Sequence, residues 1–249
     1  MRRTGQSTHT GVFITGTDTA VGKTLVSAVL ALQMKQQGYT VGVMKPIETG
    51  VSKARLAQSD GARLQGIVES DEALGAISPF RFELPLTPLA AAQAEGRQID
   101  PAVIYKVYRL LSDRYECLVM EGVGGVHVPL APKFAVIDLV AHLKLPAVVV
   151  GRSRLGGINH ALLTVEALQR RKIPIVALVL NQTEPVRSKI DRLQERTTVE
   201  ILRKKAGVPV IGPLPYRSEL SRQFRRSATR LAHSAAIKKL AKVVRRAMK

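Results

Sequence analysis

The chain has 249 residues, 45% hydrophobic and 23% charged, which excludes disorder throughout and suffices for one large domain or two small ones. Its 38 Lys and Arg against 19 Asp and Glu give a formal net charge of +19, and eleven of those cations with a single acid, Glu219, fall between positions 217 and 249. One cysteine excludes an intrachain disulfide and a cysteine-built zinc site, and the longest apolar run, 145–151, is strand length rather than membrane length.

Residues 1–10 hold two arginines and no apolar stretch, so they predict a flexible terminus without a secretory signal, and a cytoplasmic setting is expected. Residues 11–17 (GVFITGT) read as a strand and turn. Residues 24–36 then place Leu25, Ala28, Val29, Leu32 and Met34 near helical spacing, closed by Gly38. Further strands are predicted over 41–44, 117–120, 147–150, 175–180 and 208–211, and helices over 102–114, 135–143, 158–170 and 187–206. The stretch 51–101 is the least regular, with loops and two short helices expected around Pro79, Pro85 and Pro88. The strands are continuous apolar runs, the pattern of parallel strands covered on both faces. The expectation is a single α/β domain over 11–233 with a mostly parallel central sheet flanked by helices.

The last segment, 234–249, puts Ile237, Leu240, Ala241, Val244 and Met248 on one helical face and Lys238, Lys239, Lys242, Arg245, Arg246 and Lys249 on the rest. A basic helix docked by its apolar stripe is expected. The alternative is an arm for nucleic acid or anionic membrane. Phe224 is the only aromatic after Tyr216, so base stacking has no platform, and neither nucleic acid nor membrane is expected as a partner.

Residues 16–24 read Gly-Thr-Asp-Thr-Ala-Val-Gly-Lys-Thr, after a predicted strand and opening a predicted helix. Backbone N–H groups of such a turn, with the helix N-terminus, cradle an anion. Lys23 reaches the outer phosphates as a point charge, and Thr24 offers its hydroxyl to Mg²⁺. Five residues separate Gly16 from Gly22, one more than in the common phosphate loop, and Thr17 stands where the first glycine is usual. Lys45, Glu121 and Asn181 each end a predicted parallel strand, the edge where α/β sheets bind ligands. Glu121 suits a metal, since Mg²⁺ takes one or two carboxylates with phosphate oxygens and water. Asp60, heading a helix, reads alone as an N-cap. Cys117 reads as a buried apolar residue, His160 as structural, His127 as a weak candidate to face the site, and Tyr105 and Tyr108 as helix packing.

The loop resembles the opening of dethiobiotin synthetases, the ATP-dependent enzymes of biotin synthesis. Five further blocks follow in that family's order: Lys45-Pro46-Ile47-Glu48-Thr49-Gly50, similar to its Lys-Pro-x-x-Thr/Ser-Gly; Ser59-Asp60; Glu121-Gly122-Val123-Gly124-Gly125; Arg154-Leu155-Gly156-Gly157-Ile158-Asn159-His160; and Asn181 with Gly212-Pro213-Leu214-Pro215-Tyr216. The resemblance implies ligase chemistry: closure of the ureido ring of 7,8-diaminopelargonate with CO₂ and ATP, through a carbamate and a carbamic-phosphoric mixed anhydride. It implies Lys45 and Lys23 as catalytic cations and Mg²⁺ held by Thr24, Asp60 and Glu121. The nucleotide would be held by Thr19, Ala20, Val21, Gly22, Lys23, Thr24, Asp60, Glu121, Gly122, Gly124, Asn181, Leu214, Pro215 and Tyr216. Substrate would meet Lys45 and Thr49, with its far carboxylate on the helix start at Gly157, Ile158 and Asn159 across a homodimer interface. Departures are Ala20 where the family is often acidic, Val126 and His127 where a larger or aromatic residue is usual, and two added arginines, Arg152 and Arg154. Two rivals share the loop. A cobyrinate-type amidating enzyme would need a catalytic cysteine, and Cys117 lies in a strand. A partition- or septum-positioning ATPase, which would bind DNA or membrane through the basic tail, usually carries an early loop lysine, and none occurs before Gly22.

Overall fold

The first apolar run becomes the middle of a sheet. In a computed structural model, which describes residues 11–248, β1 (Gly11–Gly16) is buried at every position. The terminus 1–10 and Lys249 lie outside the described residues. Five more strands join it: β2 (Val41–Met44), β3 (Cys117–Gly125), β4 (Ala147–Arg152), β5 (Ile175–Asn181) and β6 (Val210–Leu214). Their order is β6-β5-β4-β1-β3-β2, and every pairing is parallel. Phe13 sits opposite Met120 on one side and Ala147 on the other. β6 contains Pro213, which an edge strand tolerates because one side has no ladder to feed.

Helices cover both faces, as the continuous apolar strands require. One face carries α1 (Lys23–Gln36), α2 (Asp60–Val68) and, later in the chain, α9 (Phe224–Ala232) and α10 (Ala235–Ala247). The other carries α4 (Pro88–Ala94), α5 (Pro101–Arg114), α6 (Val136–Leu143), α7 (Gly157–Arg170) and α8 (Lys189–Lys205). α3 (Leu74–Ile77) is one short turn. The stretch 51–101 holds more structure than expected: a 3₁₀ turn (Lys53–Gln58), α2, α3, α4 and a two-stranded pairing of Ile47–Glu48 with Phe80–Arg81. α9 was not legible as a helix because arginines interrupt its short apolar stripe; Ala228, Leu231 and Ala232 are buried there all the same. β3 runs five residues past its predicted end, through the glycine turn, and β6 starts two residues later than predicted.

The stripe of α10 packs into the core: Ile237, Leu240, Ala241 and Val244 are fully buried against α1, β5 and β6. Ser234 caps this helix by accepting the N–H of Ile237. No helix among the described residues is long and apolar enough to cross a membrane.

Candidate active site

The chain leaves the C-terminal end of β1 in a loop that turns back into α1. Gly22 takes φ +99°, and a Cβ there would lie 2.3 Å from the Asn181 amide nitrogen, so loop and β5 approach this closely only because residue 22 is glycine. α1 starts with no side-chain cap and no acid in its first turn, leaving N–H donors and the positive helix end for an anion. Lys23 is buried and folds over the loop, its Nζ 2.8 Å from the Asp18 carbonyl. Burial and then the neighbouring Lys45 charge lower its pKa to about 8.

Beside the loop stands a buried charge cluster. Lys45 follows β2 and its Nζ lies 2.6 Å from Glu121 Oε1, 3.1 Å from Asp60 Oδ2 and 3.0 Å from the Gly122 carbonyl. Thr24 donates its hydroxyl to the same Glu121 oxygen at 2.9 Å. Burial disfavours the charged form of Lys45, but the carboxylates of Glu121 and Asp60 outweigh it and hold the ammonium above its ordinary pKa. Burial pushes the Glu121 carboxyl up, with Lys45 offsetting part of that push. For Asp60 burial also works upward, but Lys45 and the Thr24 hydroxyl prevail and hold it below the usual range. Asp60 is not the helix cap that its position suggests. Ser59 caps α2 by accepting the Ala62 N–H, which frees Asp60 to turn toward Lys45.

These groups line a cavity of about 640 Å³ at the C-terminal ends of β1, β2 and β3. Thr19, Ala20, Gly22, Lys23, Thr24, Lys45, Thr49, Asp60, Glu121, Gly124 and Tyr216 all reach it. Gly122 does not line it; its buried carbonyl accepts from Lys45 Nζ. Val21 is buried under the loop and its carbonyl accepts from the Asn181 amide at 3.0 Å, while Asn181 Oδ1 has no partner among the described residues. Leu214 is buried opposite Asn181 in the β5–β6 register and Pro215 is exposed; Asn181, Leu214 and Pro215 do not line the cavity. Tyr216 is fixed by its N–H, which donates to Gln182 Oε1 at 2.8 Å.

Gly157, Ile158 and Asn159, at the start of α7, stand outside this cavity. His127 faces a different depression, beside Asp138 and Arg171, and His160 is exposed. Tyr105 stacks on His142 with centroids 3.8 Å apart. Cys117 is fully buried, and burial pushes its thiol up to about 12.

Among the cavity residues that escaped the sequence reading, three make notable contacts. Glu48 is buried, accepts the Gly61 N–H at 3.1 Å and has its pKa raised by burial. Arg63 and Phe224 meet across the cavity rim, guanidinium over ring at 5.1 Å. A carboxylate two residues after Pro46, directly following Ile47, was the available signal for Glu48. Phe224 is distant in sequence and carried none.

The donor set fits a hard cation. Glu121 Oε2 is buried without a hydrogen-bond partner among the described residues, and Thr24 Oγ1 and the Asp60 carboxylate stand next to the same Lys45–Glu121 pair. No three His, Cys, Asp or Glu side chains among the described residues form a cage. Two carboxylates and a hydroxyl beside a phosphate loop are what Mg²⁺ accepts when phosphate and water complete its shell.

A parallel α/β sheet with a Gly-Lys-Thr loop, a helix start and buried cations at its C-terminal edge defines a P-loop nucleotide-binding protein. A family model described as "AAA domain" matches residues 10–223. Among solved structures, the fold resembles the ParA family ATPase from Chlorobium tepidum TLS (14% identity, TM-score 0.53, 95% of this chain and 98% of that one). It also resembles the MinC:MinD complex of Aquifex aeolicus (14%, TM-score 0.56, 96% and 95%). At such identity the likeness is one of fold. Sequence relatives are far closer. A protein of Thermodesulfovibrio yellowstonii named ATP-dependent dethiobiotin synthetase BioD is 39% identical over 85% of this chain and 91% of its own. Those of Anaeromyxobacter dehalogenans strain 2CP-C (40%, 89% and 97%) and Bacillus subtilis strain 168 (33%, 86% and 90%) bear the same name. The chain belongs to the ATP-dependent dethiobiotin synthetase family.

Proposed function

We propose that this protein closes the ureido ring of 7,8-diaminopelargonate with CO₂ and ATP, giving dethiobiotin, ADP and phosphate. The observation that carries this reading is the buried Lys45, held between Glu121 and Asp60 beside the phosphate loop. The reaction brings a carbamate against a triphosphate, and two anions meet only where cations and N–H donors are already arranged.

One amine of the diamine traps CO₂ as a carbamate. A carbamate oxygen attacks the γ-phosphorus, the bond to the ADP oxygen breaks, and a carbamic-phosphoric anhydride forms. The second amine then attacks the carbamoyl carbon, phosphate leaves, and the amine loses its proton. No enzyme nucleophile is required. Lys23 and the α1 N–H groups hold the phosphates; Lys45 neutralises the carbamate and the phosphoryl group in transit; Thr49 orients carbamate or diamine. Asn181 reads the base with its free Oδ1, beside Leu214, Pro215 and Tyr216. Thr24, Asp60 and Glu121 would hold Mg²⁺, which supplies charge neutralisation across the phosphates.

The reading extends to a homodimer in the cytoplasm. The α7 start at Gly157–Asn159 suits a carboxylate, and its neighbours Leu155 (82% exposed) and Leu163 (56%) offer an apolar face for a second copy. The single buried cysteine agrees with a reducing setting. Incubation with ATP, bicarbonate and the diamine tests the activity: dethiobiotin and ADP should appear in equal amounts. ATP hydrolysis without dethiobiotin would favour a nucleotide-driven switch of the ParA kind. Sedimentation tests the dimer.

A further inference from the structure

Docking of α10 uses its apolar stripe and leaves its charge unanswered. Between residues 222 and 246 nine Lys and Arg side chains are exposed, no acid occurs, and among the described residues only Arg225 has an acidic partner, Glu69. On α10, Lys238, Lys242 and Arg245 succeed one another turn by turn, with Lys239 and Arg246 flanking them, so like charges crowd at i,i+3 and i,i+4 where they destabilise a helix. Arg226 and Arg230 extend the surface onto α9. None of these side chains lines the catalytic cavity.

We propose that the outer face of α9 and α10 binds the phosphate backbone of double-stranded nucleic acid, without reading its sequence. A bilayer is a poorer partner. The apolar residues that would enter it are in the protein core, and none of the large exposed apolar side chains of the described residues lies beyond Tyr216. Without an apolar anchor at its centre the surface also lacks what a protein interface is built around. Single strands are disfavoured because Phe224, the one aromatic here, is half-buried and already covered by Arg63. What remains is an exposed, arginine-rich field suited to closely spaced phosphates. The proposal sets aside the expectation that no nucleic acid is bound.

The test is fluorescence anisotropy of a labelled 20-base-pair DNA duplex with the full chain, from about 50 to 200 mM salt. If about five phosphates are engaged, log affinity falls with log salt at a slope of about −4.5, roughly 500-fold across that range. The variant R226Q/R230Q/K239Q/K242Q/R246Q should lose at least about 30-fold in affinity at 100 mM salt and most of the slope, with dethiobiotin turnover unchanged. A control removing equal charge elsewhere, K53Q/K106Q/R109Q/K204Q/K205Q, should stay within about threefold of the parent. Should the five-fold variant fold poorly, R230Q/K242Q must still reduce the slope by about two. Equal losses in patch and control variants would reduce the effect to overall charge and overturn the proposal. So would absent duplex binding, or binding confined to phosphatidylglycerol vesicles.

Discussion

Lys45 Nζ and Glu121 Oε1 lie 2.6 Å apart with both side chains shut off from solvent, and the same carboxylate oxygen takes the Thr24 hydroxyl. A buried ion pair adds little net stability against an apolar replacement, but it fixes where each charge stands. Here the fixed charges sit at the mouth of an anion-binding loop, which is the preorganisation that phosphoryl transfer requires.

Lys45→Gln keeps a donor for Glu121 and removes the charge. The variant should fold and still bind ATP, since Lys23 and the loop remain. Turnover should fall roughly a hundredfold or more, the scale of a lost charge-stabilising donor. Single-turnover measurement of dethiobiotin formation in the pure variant decides it: near-normal rates would remove Lys45 from the chemistry.

Glu121→Gln and Asp60→Asn each preserve shape and delete a negative charge. If both hold Mg²⁺, each raises the Mg²⁺ concentration for half-maximal activity at saturating ATP, by tenfold or so for a lost ligand or its orienting partner. An unchanged Mg²⁺ dependence in both would leave them as structural carboxylates around Lys45.

Glu48 Oε1 accepts the Gly61 N–H at 3.1 Å, and a Cβ on residue 61 would stand 2.7 Å from that oxygen. The bond anchors the first turn of α2 from inside, one residue after Asp60. Glu48→Ala should therefore loosen Asp60 and raise the Mg²⁺ requirement several-fold, whereas Glu48→Gln keeps an acceptor and should stay near the parent. Mg²⁺ titration of the two variants tests this, and equal losses would mean that the charge of Glu48 matters rather than its hydrogen bond.

Most of the site was legible in the sequence because its groups hang on strand ends, and strand ends are marked by the switch from apolar to polar residues. Lys45 and Glu121, which line the cavity, were marked that way, as was Asn181, which does not line it, and the loop by its glycine and Lys-Thr pattern. Contacts between segments remote in sequence were not legible. Nothing local says that Ser59 rather than Asp60 caps α2, because either residue type serves as a cap. Nothing local says that Gly61 leaves room for Glu48, or that α9 returns to lay Phe224 on the cavity rim. Element ends slipped for a similar reason: β3 continues through its glycines because β1 pairs with it as far as Gly125.

Asp191 shows what charge does at a helix start away from the site. It accepts the N–H groups of Ser188 and Arg187, while its own N–H donates to the Ser188 hydroxyl, closing a capping box on α8. Those backbone bonds first, and then the Ser188 hydroxyl and Arg154, lower its pKa from 3.8 to about 2. A carboxylate with a depressed pKa stabilises the fold above its unfolded value and loses that contribution as pH falls through the folded one. Asp191→Asn should therefore melt below the parent at pH 7, and the gap should close as pH drops from 4 toward 2. Paired thermal melts across that window check it, and a gap independent of pH would assign the effect to shape instead of charge.

Leu240 tests whether the C-terminal helix belongs to the fold. Its side chain is fully buried in the core that α10 shares with α1, β5 and β6. Truncating a leucine in such a place costs about 2–5 kcal/mol, depending on how far the surroundings collapse. Leu240→Ala should lower the thermal midpoint accordingly. Because α10 does not line the cavity beside the phosphate loop, the Michaelis constant for ATP should stay near that of the parent at temperatures where the variant is folded. The loss should be the same with and without DNA, since it comes from packing rather than from the helix's charged face. A variant that keeps full thermal stability would show that α10 rests on the domain without contributing to it, and the helix would then have to be read as a detachable arm.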